Sequence, residues 1–205
     1  MTDGFLAALL KGLAATSPLE AVSVVFGFAY TVLAMKRTRW CWVAALLSSA
    51  PLVYLAWVSR LPMQAALQLY YVGMAVYGFW HWSRDEGKAT RAVSTWPVLN
   101  HVIAWAAILL VSLLWSRFYL AGQTRAAWPL LDSLTTFGSL VATWLMAQVK
   151  LENWFYWIVL DAISVFLFAT QGLMLVALLF AAYLVLSAIG FFTWLKTWRS
   201  PVQQT

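Results

Sequence analysis

Seven runs of about twenty mostly apolar residues, separated by short charged or proline-marked breaks, govern what this chain of 205 residues can become. A helix needs about twenty apolar residues to cross the hydrocarbon core of a bilayer. The runs predict spanning helices at 18–35, 40–58, 62–82, 97–118, 129–149, 153–170 and 172–195. Between them lie Lys36-Arg37-Thr38-Arg39, Arg60-Leu61-Pro62, Ser83 to Trp96, Arg117 to Pro129, Lys150-Leu151-Glu152 and Gln171-Gly172. The last break is so short that the sixth and seventh spans should form a tight antiparallel hairpin. Only 10% of the residues are charged and the mean hydropathy is +0.79, whereas a soluble domain is about a quarter charged. The expected fold class is an all-α membrane protein with seven transmembrane helices.

The formal charge of +6 sits in the breaks, so it reads as a topology signal and not as a nucleic-acid surface. Lys36, Arg37, Arg39, Arg84, Lys88, Arg91, Lys150, Lys196 and Arg199 fall on one side; Lys11, Arg60, Arg117 and Arg125 fall on the other. The positive side is expected to be cytoplasmic, which places the N-terminus outside and the C-terminus inside. Residues 1–17 carry no early basic cluster and make a poor signal peptide. Residues 4–15 are too short to span and fit a helix or turn lying at the interface. Cys41 is the single cysteine, so no disulfide can form within the chain.

Shifted by 112 residues, the first third of the chain falls on the last. Trp42 meets Trp154, Thr31 meets Thr143, Tyr71 meets Tyr183, and Glu20 meets Asp132. Gly78-Phe79-Trp80-His81-Trp82 meets Gly190-Phe191-Phe192-Thr193-Trp194. Three helices per half with one unmatched helix between them restore a parallel orientation. A 3+1+3 parallel repeat follows, with a pseudo-twofold along the membrane normal. The implied units are an interfacial segment at 1–17, a three-helix bundle at 18–82, a linker with helix four at 83–128, a second bundle at 129–195 and a cytoplasmic tail at 196–205. Transporters built on such repeats bind substrate near the midplane between the halves.

Asn153, Trp157 and Asp161 recur at spacing four and so share one stripe of the sixth span. A carboxylate that deep costs about 2.5–3.5 kcal/mol on insertion scales, so it faces a cavity or a partner. With an indole one turn before it, the stripe is a seat for a flat cation. On the third span Gln64, Gln68, Tyr71, Ala75 and Gly78 share a face. Two amides toward lipid would go unpaired, so that face should look inward, as substrate contacts or as glue between helices. Tyr183, Ser187 and Gly190 form the matching face of the seventh span, where close packing is the plainer reading. Trp154 and Trp157, both near the cytoplasmic end of the span, also fit an interfacial aromatic belt, Trp157 less so because it lies deeper and in line with Asp161. Glu20 and Asp132 at span starts fit helix capping, and Ser48, Ser49 and Pro51 could bend the second span.

Catalytic patterns are missing. His81 and His101 have no carboxylate at ligand spacing, and no phosphate loop, cysteine pair or nucleophile elbow occurs. Neither a metal nor a cofactor is expected, and the chain does not read as an enzyme. An integral-membrane enzyme acting on a lipid or nucleotide is the rival from another class; it would need a nucleophile or metal cluster at one membrane face. A seven-helix sensor would not need two interchangeable halves.

The run Trp144 to Asp161 followed by Gln171-Gly172-Leu173 resembles the PnuC-type vitamin transporter family. So do Pro129-Leu130-Leu131-Asp132, Leu67-Gln68-Leu69-Tyr70-Tyr71 and Tyr77-Gly78-Phe79-Trp80-His81-Trp82, and the likeness covers roughly 18–195. The resemblance implies a full-length relative of the SWEET sugar transporters, of possible homotrimeric assembly, in the bacterial inner membrane. It further implies uptake of nicotinamide riboside by facilitated diffusion, with thiamine as the alternative substrate. Carried over to these positions, it implies a binding group of Asn153, Trp157, Asp161, Gln68 and Tyr71, with Gln64, Trp154, Thr143 and Tyr183 as further candidates. A phosphorylated substrate is disfavoured, because no Arg or Lys lies at the depth of Asp161.

Overall fold

The computed structural model describes residues 2–84, 92–121 and 128–200. Lys88, Arg91, Arg125 and the tail beyond residue 200 lie outside these described residues. The described residues form eight helices: α1 (Thr2–Ala15), α2 (Pro18–Met35), α3 (Trp40–Val58), α4 (Pro62–Ser83), α5 (Val98–Ala121), α6 (Pro129–Ala147), α7 (Asn153–Thr170) and α8 (Met174–Trp198). Six of them, α2, α3, α5, α6, α7 and α8, are long and apolar enough to cross a membrane. Of the seven expected spans, six are met by helices of this length and apolarity. The predicted third span, α4, has the length, but Gln64, Gln68, three tyrosines and His81 lower its apolarity. The additional helix is α1, in the segment expected at the interface. The last helix runs to Trp198, past the expected end at 195.

Helix starts follow local chemistry. Pro18, Pro62 and Pro129 open α2, α4 and α6, where a missing N–H costs nothing. At α2 the Ser17 hydroxyl accepts from Glu20 N (3.2 Å) while the Glu20 carboxylate accepts from Ser17 N (2.7 Å), a reciprocal cap. The capping role expected for Glu20 is thus seen. The α7–α8 hairpin turns at Gly172, whose φ of +75° suits a residue without Cβ. Arg37, Arg60 and Val149 also take positive φ, at 54°, 56° and 53°. Arg37 and Val149 are 112 residues apart, as are Arg60 and Gly172.

The helix α3 packs on both α2 and α4, and α7 packs on both α6 and α8. These two triplets meet through α4 against α6 and α2 against α8, while α5 lies on α6 and α1 on α8. The end carrying the 36–39 and 148–152 turns is called basal below. There the indole of Trp82 stands edge-on to Trp42 (5.5 Å, 87°) and that of Trp194 edge-on to Trp154 (5.5 Å, 89°). Each outer indole reaches across to the other triplet: Trp82 Nε1 donates to Ala147 O (2.9 Å) and Trp194 Nε1 donates to Met35 O (3.1 Å). All four members of this exchange are related by the same 112-residue shift. Gly78 and Gly190 let the inner indoles lie against α4 and α8; a Cβ at Gly190 would sit 2.6 Å from Trp154 Cε3, and one at Gly78 would be closer still to Trp42.

The segment before α5 clamps the α6–α7 turn. Ser94 N donates to Val149 O (3.1 Å) and Leu151 N to Ser94 O (2.9 Å). Lys150 Nζ donates to Ser94 Oγ (3.0 Å), and Trp96 N donates to Glu152 Oε1 (3.0 Å). His101 completes the cluster, with Nδ1 3.2 Å from the Tyr156 hydroxyl and Nε2 3.6 Å from Glu152 Oε1.

Candidate functional site

Between the two triplets lies a cavity of about 290 Å³. Its wall takes Gly27, Tyr30 and Thr31 from α2, Trp42, Ala45, Ser48, Ser49 and Leu52 from α3, and Gln64, Leu67, Gln68 and Tyr71 from α4. Thr143 and Met146 come from α6, Trp154, Trp157 and Asp161 from α7, and Phe180, Tyr183 and Ser187 from α8. Neither α1 nor α5 contributes. Spacings of three, four and seven along α4 and α7 bring these groups to one face of each helix.

Eight of the nine residues singled out from the sequence line this space: Gln64, Gln68, Tyr71, Thr143, Trp154, Trp157, Asp161 and Tyr183. Asn153 does not. It is fully buried at the first position of α7, where its amide turns back and donates to Lys150 O. At a helix start the side chain is drawn to the turn that leads in, so the stripe breaks at its first member. Trp154 is 1% exposed, which removes the interfacial-belt reading.

Asp161 is 4% exposed and, among the described residues, is the one charged residue on the wall. The Ser187 hydroxyl, one helix away, donates to Asp161 Oδ2 at 3.0 Å. Ser187 was read from the sequence as a packing residue, and this bond gives it a place in the site. Trp157 stands one turn from Asp161, half-buried on the same wall. Tyr183 is braced by Phe28, stacked at 4.9 Å, and Phe180, edge-on at 6.3 Å. Thr143 and Thr31 tie their hydroxyls back to their own helices, at Ser139 O (2.8 Å) and Gly27 O (3.1 Å). The Ser48 hydroxyl donates to Ser23 O (2.8 Å), joining α3 to α2 one turn before Pro51.

The wall itself follows the repeat. Thr31 with Thr143, Trp42 with Trp154, Ala45 with Trp157, Ser49 with Asp161, Gln68 with Phe180 and Tyr71 with Tyr183 are lining pairs separated by 112 residues. These positions pair at one offset while their chemistry differs. The second triplet supplies the carboxylate and the deep indole; at the matching places the first supplies a serine and an alanine, and it adds an amide where the other has a phenyl ring. Trp42, Tyr30 and Ser49 were missed from the sequence. The shift that exposed the repeat, applied to Trp154 and Asp161, would have found the first and the third.

Residues 17–196 match the protein-family profile described as "Nicotinamide mononucleotide transporter". The chain belongs to this family. As a member it is a multi-pass membrane transporter. Among its relatives, the riboflavin/roseoflavin transporter RibM of Streptomyces davaonensis is 26% identical over 182 residues, 85% of this chain and 83% of that one. The nicotinamide riboside transporter PnuC of Escherichia coli K12 is 25% identical over 158 residues, 65% of this chain and 66% of that one. A crystal structure of the vitamin B3 transporter PnuC superposes with a TM-score of 0.67 at 24% identity, covering 95% of this transporter and 90% of that chain; at that identity it speaks for the fold.

Proposed function

We propose that this transporter carries nicotinamide riboside, unphosphorylated and cationic, by facilitated diffusion through the cavity between its two triplets. The observation that carries the reading is the lone carboxylate of Asp161 with Trp157 one turn away, in a wall that holds no Lys or Arg. A flat pyridinium stacked on an indole gains about 0.5–2 kcal/mol, and its charge offsets a buried carboxylate that has no protein cation. Gln64, Gln68, Tyr71, Thr143, Trp154 and Tyr183 surround the pair with groups suited to hydroxyls and a carboxamide. The related nicotinamide riboside transporter of Escherichia coli supports the same substrate. A phosphate beside Asp161 would meet a like charge and no counter-ion, so the mononucleotide is disfavoured despite the description of the family profile.

The rest of the expected architecture supports transport. Both α3 and α5 run from the basal end toward the opposite one, so α4, which connects them, has to return across the layer. That makes it a seventh crossing, and its glutamines line the cavity, Gln68 buried and Gln64 more open. The exchanged indole bonds, the paired positive-φ residues and the paired wall positions support a 3+1+3 parallel repeat whose halves rock about the site. The basal end carries the Lys- and Arg-rich turns, which supports a cytoplasmic basal face in the bacterial inner membrane with the N-terminus outside.

Liposomes holding the purified protein should equilibrate labelled nicotinamide riboside without nucleotide or ion gradient and should exclude the mononucleotide. An interior-negative potential of about 100 mV is worth roughly 2.3 kcal/mol per charge, so it should drive about fifty-fold accumulation. Flux of the mononucleotide at an equal rate, or accumulation blind to potential, would refute the reading. One observation favours a second substrate: the riboflavin/roseoflavin relative spans 85% of this chain. A neutral flavin would cross without responding to the potential, so the same assay separates the two. Thiamine draws no support from the relatives above.

A further inference from the structure

Four indoles crowd the basal end of the cavity, and the fold treats them in two ways. The outer pair, Trp82 and Trp194, donate their N–H groups to backbone carbonyls of the opposite triplet. The inner pair, Trp42 and Trp154, are each 1% exposed, line the cavity and have no protein partner for Nε1. Tyr30, whose ring leans on Trp42 at 5.8 Å, and Gln68 Oε1 are the other unpartnered buried groups on this wall among the described residues. An indole N–H can only donate, and a buried donor without an acceptor is unfavourable. The inner pair sits at positions 112 residues apart, one on each triplet. Each Nε1 is closed to water here, so an acceptor reaches it as the triplets part, and one that meets both satisfies a donor from each half.

The partner chemistry is narrow. The wall holds no Lys or Arg to stabilise an anionic acceptor, so a neutral oxygen is the acceptor that fits. Resting on the reading of this cavity as the substrate site, we infer that the indole N–H of Trp42, together with that of Trp154, donates to a carbonyl oxygen on the flat ring of the transported ligand. The basal floor then selects rings bearing such a carbonyl, the carboxamide of nicotinamide riboside or a ring carbonyl of a flavin, while Trp157 and Asp161 hold the rest.

Calorimetry on the full chain in detergent tests this with three ligands: nicotinamide riboside, pyridinium riboside (the same cation without the carboxamide) and riboflavin. Trp42→Phe keeps the aromatic contacts to Tyr30 and Trp82 and removes the donor. The expected result is about tenfold weaker binding of nicotinamide riboside by Trp42→Phe, with pyridinium riboside changed less than twofold. Equal losses for the two ribosides, no loss for either, or wild-type protein binding both equally well would overturn the inference. If Trp42→Phe fails to show a wild-type melting transition, Trp154→Phe carries the same comparison. Wild-type protein that binds riboflavin and neither riboside refutes the substrate reading alone; the donor is then judged on riboflavin, where a tenfold loss supports it and unchanged affinity overturns it. Binding of none of the three overturns both.

Discussion

Asp161→Asn should weaken equilibrium binding of nicotinamide riboside about tenfold, a loss of about 1.4 kcal/mol. The amide keeps the shape of the carboxylate and an oxygen for the Ser187 hydroxyl, which now donates to Oδ2 at 3.0 Å. Only the charge is lost, and no other charged residue lines the wall. Trp157→Ala should cost a similar factor by removing the stacking face. Because both residues act on one cation, the double variant should lose less than the product of the single losses. The repeat supplies an internal control. Ser49 and Ala45 occupy the matching wall positions on the first triplet, and Ser49→Ala should change affinity less than threefold. Unchanged affinity in both Asp161→Asn and Trp157→Ala would remove them from the site.

The second large effect is expected at the glycines. Gly190→Ala would place a Cβ 2.6 Å from two ring atoms of Trp154, and Gly78→Ala would press harder on Trp42. Neither indole can retreat, since each is 1% exposed and held edge-on by a second indole. Overpacking of this kind costs about 1–3 kcal/mol, and here it also displaces the floor of the cavity. Both variants should melt several degrees lower and lose most of their flux. Gly73→Ala is the contrast: a Cβ there meets nothing within 4 Å, and that variant should keep wild-type melting and flux. Wild-type melting of Gly78→Ala would mean that the indole packing is looser than the geometry states.

Helix positions were readable because apolar length is a blunt signal and the breaks are chemically loud. Seven of the helices lie within a few residues of where the runs put them. Hydropathy weakens where the chain does its chemistry. On α4 the same Gln64, Gln68 and Tyr71 that line the cavity are what keep it below the apolarity of its neighbours. Depth and spacing marked Trp157 and Asp161, because a carboxylate far inside a lipid-length helix needs a reason. Asn153 misled, since a polar residue at a helix start answers to the turn before it. Tyr30 carried no signal: its counterpart under the repeat is Ala142, and a lone tyrosine in an apolar helix is commonplace. Ser187 showed its role only when α8 was seen to bring it beside Asp161.

The strap of residues 94–96 has a mechanical corollary. It grips the turn of the second triplet, through Val149, Lys150, Leu151 and Glu152, and runs straight into α5, which lies along α6. The corresponding turn of the first triplet is held by its own α4, through Arg39 and Ser83. That turn and α5 are thereby bolted into one chassis, on the side of the cavity that carries Trp157 and Asp161.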